Sequence, residues 1–285
     1  LSFLFGYLFC LASLIATIFA LQVNDTKQEI AGLVYAGSAL GAVFAGDLIS
    51  LFIFWELTSI TSFLLIGFNW SSRGARRGAR MSLVITGGGG LALLAGILLL
   101  GNMAGSFQLS DILSQGETLK QHSLYPLMLS LVLLGAFTKS AQAPFHLWLP
   151  HAMAAPTPVS AYLHSATMVK AGLFLMARLH PALGDTELWF ALITVTGMVT
   201  LMVGAFVAMF MHDIKGLLAY STISHLGLIT LLIGMGSEMA MAAALFHLVC
   251  HALFKAPLFM MAGYVDQATG SRDMQLNTTM WIPDR

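Results

Sequence analysis

Charge is scarce in this sequence. Acidic and basic residues make up 9% of the 285, against roughly 25% in soluble domains, so the chain cannot cover its surface with solvated side chains. Its formal net charge is zero, which removes the basic footprint expected of a nucleic-acid binder. Cysteine is almost absent. Cys10 and Cys250 both fall inside apolar stretches, too few and too deep for a disulfide framework or for iron–sulfur ligation. Strand periodicity is missing as well, and a transmembrane barrel would alternate polar and apolar residues. No Gly-x-Gly-x-x-Gly follows a strand, so neither a cofactor nor a metal site is expected. The first 20 residues lack a positively charged segment and the chain opens on Leu1, which reads as a truncated start rather than a signal peptide.

What the sequence does have is hydrophobicity: 58% apolar residues and a mean hydropathy of +0.83. Apolar segments fall near 3–21, 28–46, 48–68, 81–103, 124–152, 157–178, 188–211, 214–236 and 239–265, each close to the length that crosses a bilayer as a helix. The expected fold class is all-α, a polytopic transmembrane helical bundle over 1–265, with 266–285 as a polar tail. Short connections make neighbouring segments antiparallel. The exception is 105–123, polar enough for a surface loop with one amphipathic turn.

Orientation follows from "NWSSRGARRGAR", where Arg73, Arg76, Arg77 and Arg80 stand without an acid; short basic loops stay cytoplasmic. Counting spans from there places 22–29, 151–156, 212–213 and the tail on the same side, in the cell's inner (plasma) membrane. The opposite loops, 105–123 and 179–187, are net acidic, in agreement. Four consecutive glycines, Gly87 to Gly90, lie within a span and read as a close-packing face.

Most charges sit in loops or at segment ends. Glu56, Lys139, Lys170 and Lys255 do not. A charge at bilayer depth costs roughly 2.5–3.5 kcal/mol on insertion scales, so these side chains face protein or water. Glu56 follows Trp55 in "FWELTSITSF" and has Ser59 at i+3, on a face that could hold water. It is the natural counter-charge for at least one lysine, and the sequence leaves open which. Pro144 removes a backbone donor just after Lys139 and must kink or open that helix. Unwound backbone at this depth is tolerated only inside protein or beside a wet cavity, and discontinuous helices recur at transporter ion sites. His164 and Lys170 are expected on the following helix, about 240° apart. In "FHLVCHALFKAPLF", His247, His251 and Lys255 recur every four residues and share one helical face. "HDIKGLLAYSTISHLG" adds Lys215 near a span's start and His225 inside it. Histidine titrates near neutrality and a buried lysine can be brought there, so this inventory suits a proton relay.

Those segments resemble a known family. "FWELTSITSFLLIGF", "KSAQAPFHLWLPHAMAAPTPVSAYLHSATMVKAG", "DIKGLLAYSTISHLG" and "HLVCHALFKAPLF" are similar, in order, to the antiporter-like membrane subunits of respiratory complex I and of Mrp-type Na+/H+ antiporters. The large Mrp antiporter A subunit is the nearest match. The resemblance implies inverted five-helix repeats, each with a broken helix and a proton half-channel. The first repeat would cover about 28–178, and an incomplete second about 188–265. It assigns Glu56 as the key glutamate and Lys139 as the broken-helix lysine. His164, Lys215, His247, His251 and Lys255 would form a central polar axis. It also implies other membrane subunits as partners, protons and Na+ as cargo, no catalytic centre within the chain, and a fragment of a longer protein. Complex I or a membrane-bound hydrogenase is the alternative assembly. A more distant alternative is a b-type haem carrier using His164, His225, His247 or His251. An intramembrane hydrolase lacks any matched Ser/His or paired-Asp set.

Overall fold

A computed structural model describes residues 1–20, 26–165 and 167–274. Among them the regular structure is helical: α1 (Ser2–Ala20), α2 (Thr26–Phe44), α3 (Leu48–Ile66), α4 (Arg73–Ala104), α5 (Leu109–Ser114), α6 (Gly116–Lys120), α7 (Tyr125–Lys139), α8 (Trp148–Ala152), α9 (Thr157–Ser165), α10 (Met168–Leu183), α11 (Glu187–Ala208), α12 (Ile214–Met235) and α13 (Glu238–Thr269). Short polar residues fix where many of these start. Asp47, Thr186, Asp213 and Ser237 each accept an N–H from the first turn of α3, α11, α12 and α13, satisfying a donor that the helix itself leaves free. Gly105, Gly236 and Gly270, with φ of 68°, 69° and 70°, close α4, α12 and α13 in the left-handed conformation that a side chain would strain.

Five helices, α3, α4, α11, α12 and α13, are long and apolar enough to span a membrane. The connections between helices gather at two ends. At one end, Leu48 N donates to Phe107 O (2.9 Å) and Leu109 N to Gly46 O (3.0 Å). Tyr125 Oη there donates to Leu183 O (2.6 Å). At the other, Ile214 N donates to Arg272 O and Met274 N to His212 O, each at 3.0 Å. Arg272 there also reaches Met153 O (3.5 Å), and Gly78 packs against the carbonyl of His151. This is the alternation that a multi-pass chain requires. Of the expected tail, residues up to Thr269 continue α13 and 275–285 lie outside the described residues. Residues 22–25 of the 22–29 connection do too, and 26–29 begin α2.

Two expectations change and one holds. The polar loop 105–123 holds two short helices rather than one turn, because Leu109, Ile112 and Leu119 are buried against the bundle. The break after Lys139 is present: α7 stops there, a 3-10 turn spans Phe145–Leu147, and α8 follows. Trp148 Nε1 donates to Thr138 O (2.9 Å), and Thr200 of α11 accepts from Ala143 N (2.9 Å), so the opened backbone is satisfied inside protein. The segment 157–178, expected as one helix, is two: α9 ends at Ser165 and α10 begins at Met168. His164 and Lys170 therefore sit on separate helices, and their relative angle on a single helix does not apply.

Glycines set the closest approaches. A Cβ on Gly197 would collide with Leu231 N, and one on Gly227 would collide with Leu201 N, so α11 and α12 interlock through small residues. α4 runs unbroken through its four glycines. Gly89 abuts Thr138 and Gly90 abuts Glu56, which makes this stretch a packing face.

Candidate functional site

The first charged neighbourhood joins α3, α4 and α7. Helical spacing puts Trp55 and Ser59 one turn apart, and Lys139 is the last residue of α7, where the helix opens. Its Nζ donates to Trp55 O (3.1 Å) and Ser59 Oγ (2.7 Å) and lies 5.3 Å from the centre of the Trp55 ring, a cation–π distance. Trp55 O also accepts from Thr58 Oγ1 (2.7 Å). Glu56 Oε1 is buried with no hydrogen-bond partner, and a Cβ on Gly90 would run into it. Glycine is what lets α4 pass over this carboxylate. Glu56 and Lys139 interact through their charges without forming an ion pair among the described residues. Lys139 is thus the lysine whose charge acts on Glu56.

The second neighbourhood is basic throughout. His225 Nδ1 of α12 and His247 Nε2 of α13 are 2.9 Å apart in a direct hydrogen bond. His251, one turn further along α13, has its ring 5.4 Å from that of His225, with both nitrogens buried and unpartnered. Lys255 Nζ donates to Leu218 O (3.2 Å). Lys170 comes from α10 and lies within electrostatic reach of His247 and His251. Its Nζ donates to Ser165 O, the last carbonyl of α9. The lysine therefore supplies a donor where the helix break withholds the backbone one.

His164 and Lys215 form a third group toward the arginine end. His164 packs between Trp148 (6.2 Å) and Phe259 (6.3 Å), with both nitrogens unpartnered, and Lys215 is the charge it feels. Lys215 Nζ donates to Ala155 O (3.4 Å). Around it lie Asp213, Asp266 and Arg272, whose guanidinium is 4.0 Å from Asp213 and 3.7 Å from Asp266.

All nine residues singled out in the sequence thus fall into three groups. No hydrogen bond or ion pair among the described residues joins the Glu56–Lys139 group to the histidines. Next to Lys139 is Ser140, which no pattern in the sequence singles out. Its hydroxyl is buried and unpartnered, against Gly172 of α10. Arg272 lies in the expected polar tail, where no sequence pattern marks it. Among the described residues no cluster of three or more His, Cys, Asp or Glu forms a metal cage. The direct His225–His247 bond leaves no room for a haem iron between those rings.

A sequence profile described as "NADH:quinone oxidoreductase/Mrp antiporter, TM" matches residues 45–284. The chain belongs to that family. A protein of Rhizobium meliloti (strain 1021), named as a probable K(+)/H(+) antiporter A/B subunit, is 58% identical over 243 residues, which is 85% of this chain and 24% of that protein. The structure of the Mrp complex from Dietzia sp. DQ12-45-1b contains a similar chain: TM-score 0.81, 44% identity, covering 85% of this chain and 26% of the other. The membrane-bound sulfane sulfur reductase, an archaeal respiratory membrane complex, shares the fold, with TM-score 0.86 at 24% identity over 95% of this chain and 58% of that one. This family member spans about a quarter of the length of the first two.

Proposed function

We propose that this chain moves protons through the membrane as part of a multisubunit monovalent-cation/proton antiporter. One observation carries the reading. Lys139, Lys170, Lys215 and Lys255 are all at most 3% exposed, and none forms an ion pair among the described residues. Each instead donates to a backbone carbonyl: Trp55, Ser165, Ala155 and Leu218. Had these lysines served only to lock helices together, each would pair with a carboxylate, since breaking a buried pair is strongly destabilising. A carbonyl accepts a hydrogen bond from an ammonium or a neutral amine alike, so the proton can leave without the anchor being lost.

In this reading Lys139 holds or releases a proton under the field of Glu56. Ser140 lies toward α10, where Lys170 and the three histidines accept and pass protons to Lys255. His164 and Lys215 lead to the arginine end, where Asp213 and Asp266 face water. The repeat boundaries expected above would make 28–178 one half-channel and 188–265 part of a second. The arginine end is cytoplasmic, the bilayer is the inner (plasma) membrane, and the partners are the other membrane subunits of the antiporter. The resemblance of its motifs to Mrp-type Na+/H+ antiporters suggests Na+ as the exchanged cation, and the name of the Rhizobium relative supports K+.

Everted vesicles loaded with a pH-sensitive dye test this without NADH present. The parent protein should collapse the proton gradient when NaCl or KCl is added, and comparing the salts identifies the cation. Lys139→Ala and Glu56→Ala should each abolish the response while the assembly persists on a native gel. Normal responses from both variants would refute the relay. A response seen only with NADH and quinone would assign the chain to a respiratory complex instead.

A further inference from the structure

Of the four arginines at the start of α4, Arg76 is already committed: its Nη1 donates to Trp70 O (2.6 Å) and Ser71 O (2.9 Å). Arg73, Arg77 and Arg80 are exposed and enter no ion pair among the described residues. Their spacing sets them on one helical stripe. That stripe continues as Val84, Gly88, Leu91, Ala95 and Leu98, every one exposed. At about 1.5 Å per residue, Arg80 to Leu91 covers about 16 Å, close to one leaflet of a ~30 Å hydrocarbon core. A groove of about 610 Å³ lies where charge gives way to hydrocarbon, lined by the arginines with Val84 and Ile85 beyond them.

Two further features favour an anion here. The Arg80 guanidinium sits 5.8 Å from the ring centre of Trp70, which itself packs edge-on against Phe63 at 5.9 Å; tryptophan is at home at headgroup depth. The cations also crowd the end of α4 where the helix dipole is positive and where Ser72 contributes no side-chain cap, so no acid among the described residues neutralises them. A topology determinant needs only the number of positive charges. It does not need three arginines in phase with an apolar stripe, or an aromatic ring beneath one of them.

We propose that this face of α4 binds one anionic phospholipid. Its phosphate rests on Arg73, Arg77 and Arg80, whose planar forks suit phosphate oxygens. One acyl chain follows the stripe from Val84 to Leu98, where Gly88 and Ala95 leave space between larger side chains. The site is independent of the proton relay and stands or falls separately from it.

Native mass spectrometry of the intact protein, titrated with phosphatidylglycerol and with phosphatidylcholine of the same chains, is the test. The parent should prefer phosphatidylglycerol by at least about tenfold, and Arg73→Gln/Arg77→Gln/Arg80→Gln should reduce that to near parity. Because removing positive charge can disturb insertion, two further variants keep it. Arg73→Lys/Arg77→Lys/Arg80→Lys should lower retention several-fold. Gly88→Leu/Ala95→Leu fills the spaces along the apolar stripe, and a side chain at Gly88 meets nothing within 4 Å in the protein; it should also weaken lipid retention. Equal retention of the two lipids by the parent would overturn the proposal, as would an unchanged preference in the glutamine variant. Displacement by inorganic phosphate as effective as by lipid would reduce the site to an anion site and refute the lipid. Loss of an acidic partner protein from the lysine variant, with lipid counts unchanged, would make this face a protein interface and refute it too.

Discussion

The two main charged neighbourhoods hold lysine in different company. Around Lys139 there is one carboxylate, one hydroxyl and one carbonyl, packed under glycines that admit no larger residue. Around Lys170 and Lys255 there are three imidazoles and, among the described residues, no acid. The first therefore sets one acid against its amine, and opposite charges there would offset each other. In the second, each group that can take up a proton faces others of the same kind, so added positive charges repel one another. In the proposed relay the first site would capture a proton and the second would pass it on, both built from one residue type by changing the neighbours.

That contrast can be broken experimentally. The largest effect is expected from the captor: Gly90→Val drives a side chain into Glu56 Oε1, with which even a bare Cβ would collide. Transport should fall to background, and overpacking should lower stability by about 1–3 kcal/mol in thermal unfolding. Retained transport would mean that the Glu56 position is irrelevant. A smaller effect is expected from His225→Phe, which removes the bond to His247 at about 1 kcal/mol and should slow, not abolish, cation-driven proton movement. If it abolished transport as fully as Lys139→Ala, the histidines would be captors too, and the contrast would be wrong.

The smallest effect lies outside both sites and serves as a control. Asp47→Ala removes the N-cap of α3, whose carboxylate accepts from Ser50 N at 2.8 Å, and should cost about 1 kcal/mol with transport per assembled protein unchanged. The Ser50 backbone N–H, and then its hydroxyl, hold the Asp47 pKa below its ordinary value. A depressed carboxylate stabilises the fold above its unfolded pKa of about 3.9. The contribution disappears as pH falls through the lower, folded value. The parent and Asp47→Ala should therefore converge in stability toward strongly acid pH. A constant gap down to that range would show that the cap is not acting through its charge.

The sequence showed much of this because charge in an apolar run is visible in one dimension. Glu56, Lys139, Lys170 and Lys255 announce themselves by depth, and His247, His251 and Lys255 by period. Pro144 announced the first break. The second, between Ser165 and Met168, carries no proline or glycine in "LHSATMVK", so nothing local marked it. The lysine anchors were equally hidden, since they are main-chain carbonyls that every residue possesses. Which lysine faces Glu56 depends on how α3 and α7 cross. Ser140 and Arg272 gain their places from tertiary packing, not from any pattern around them.

Swapping Lys139 for arginine decides whether this amine trades protons or merely supplies positive charge. Arginine keeps the charge but does not deprotonate in proteins. With Lys139→Arg in everted vesicles, and assembly verified, cation-driven dye dequenching should be absent. Dequenching at the parental rate would show that a permanent cation suffices, and the relay would lose its first step.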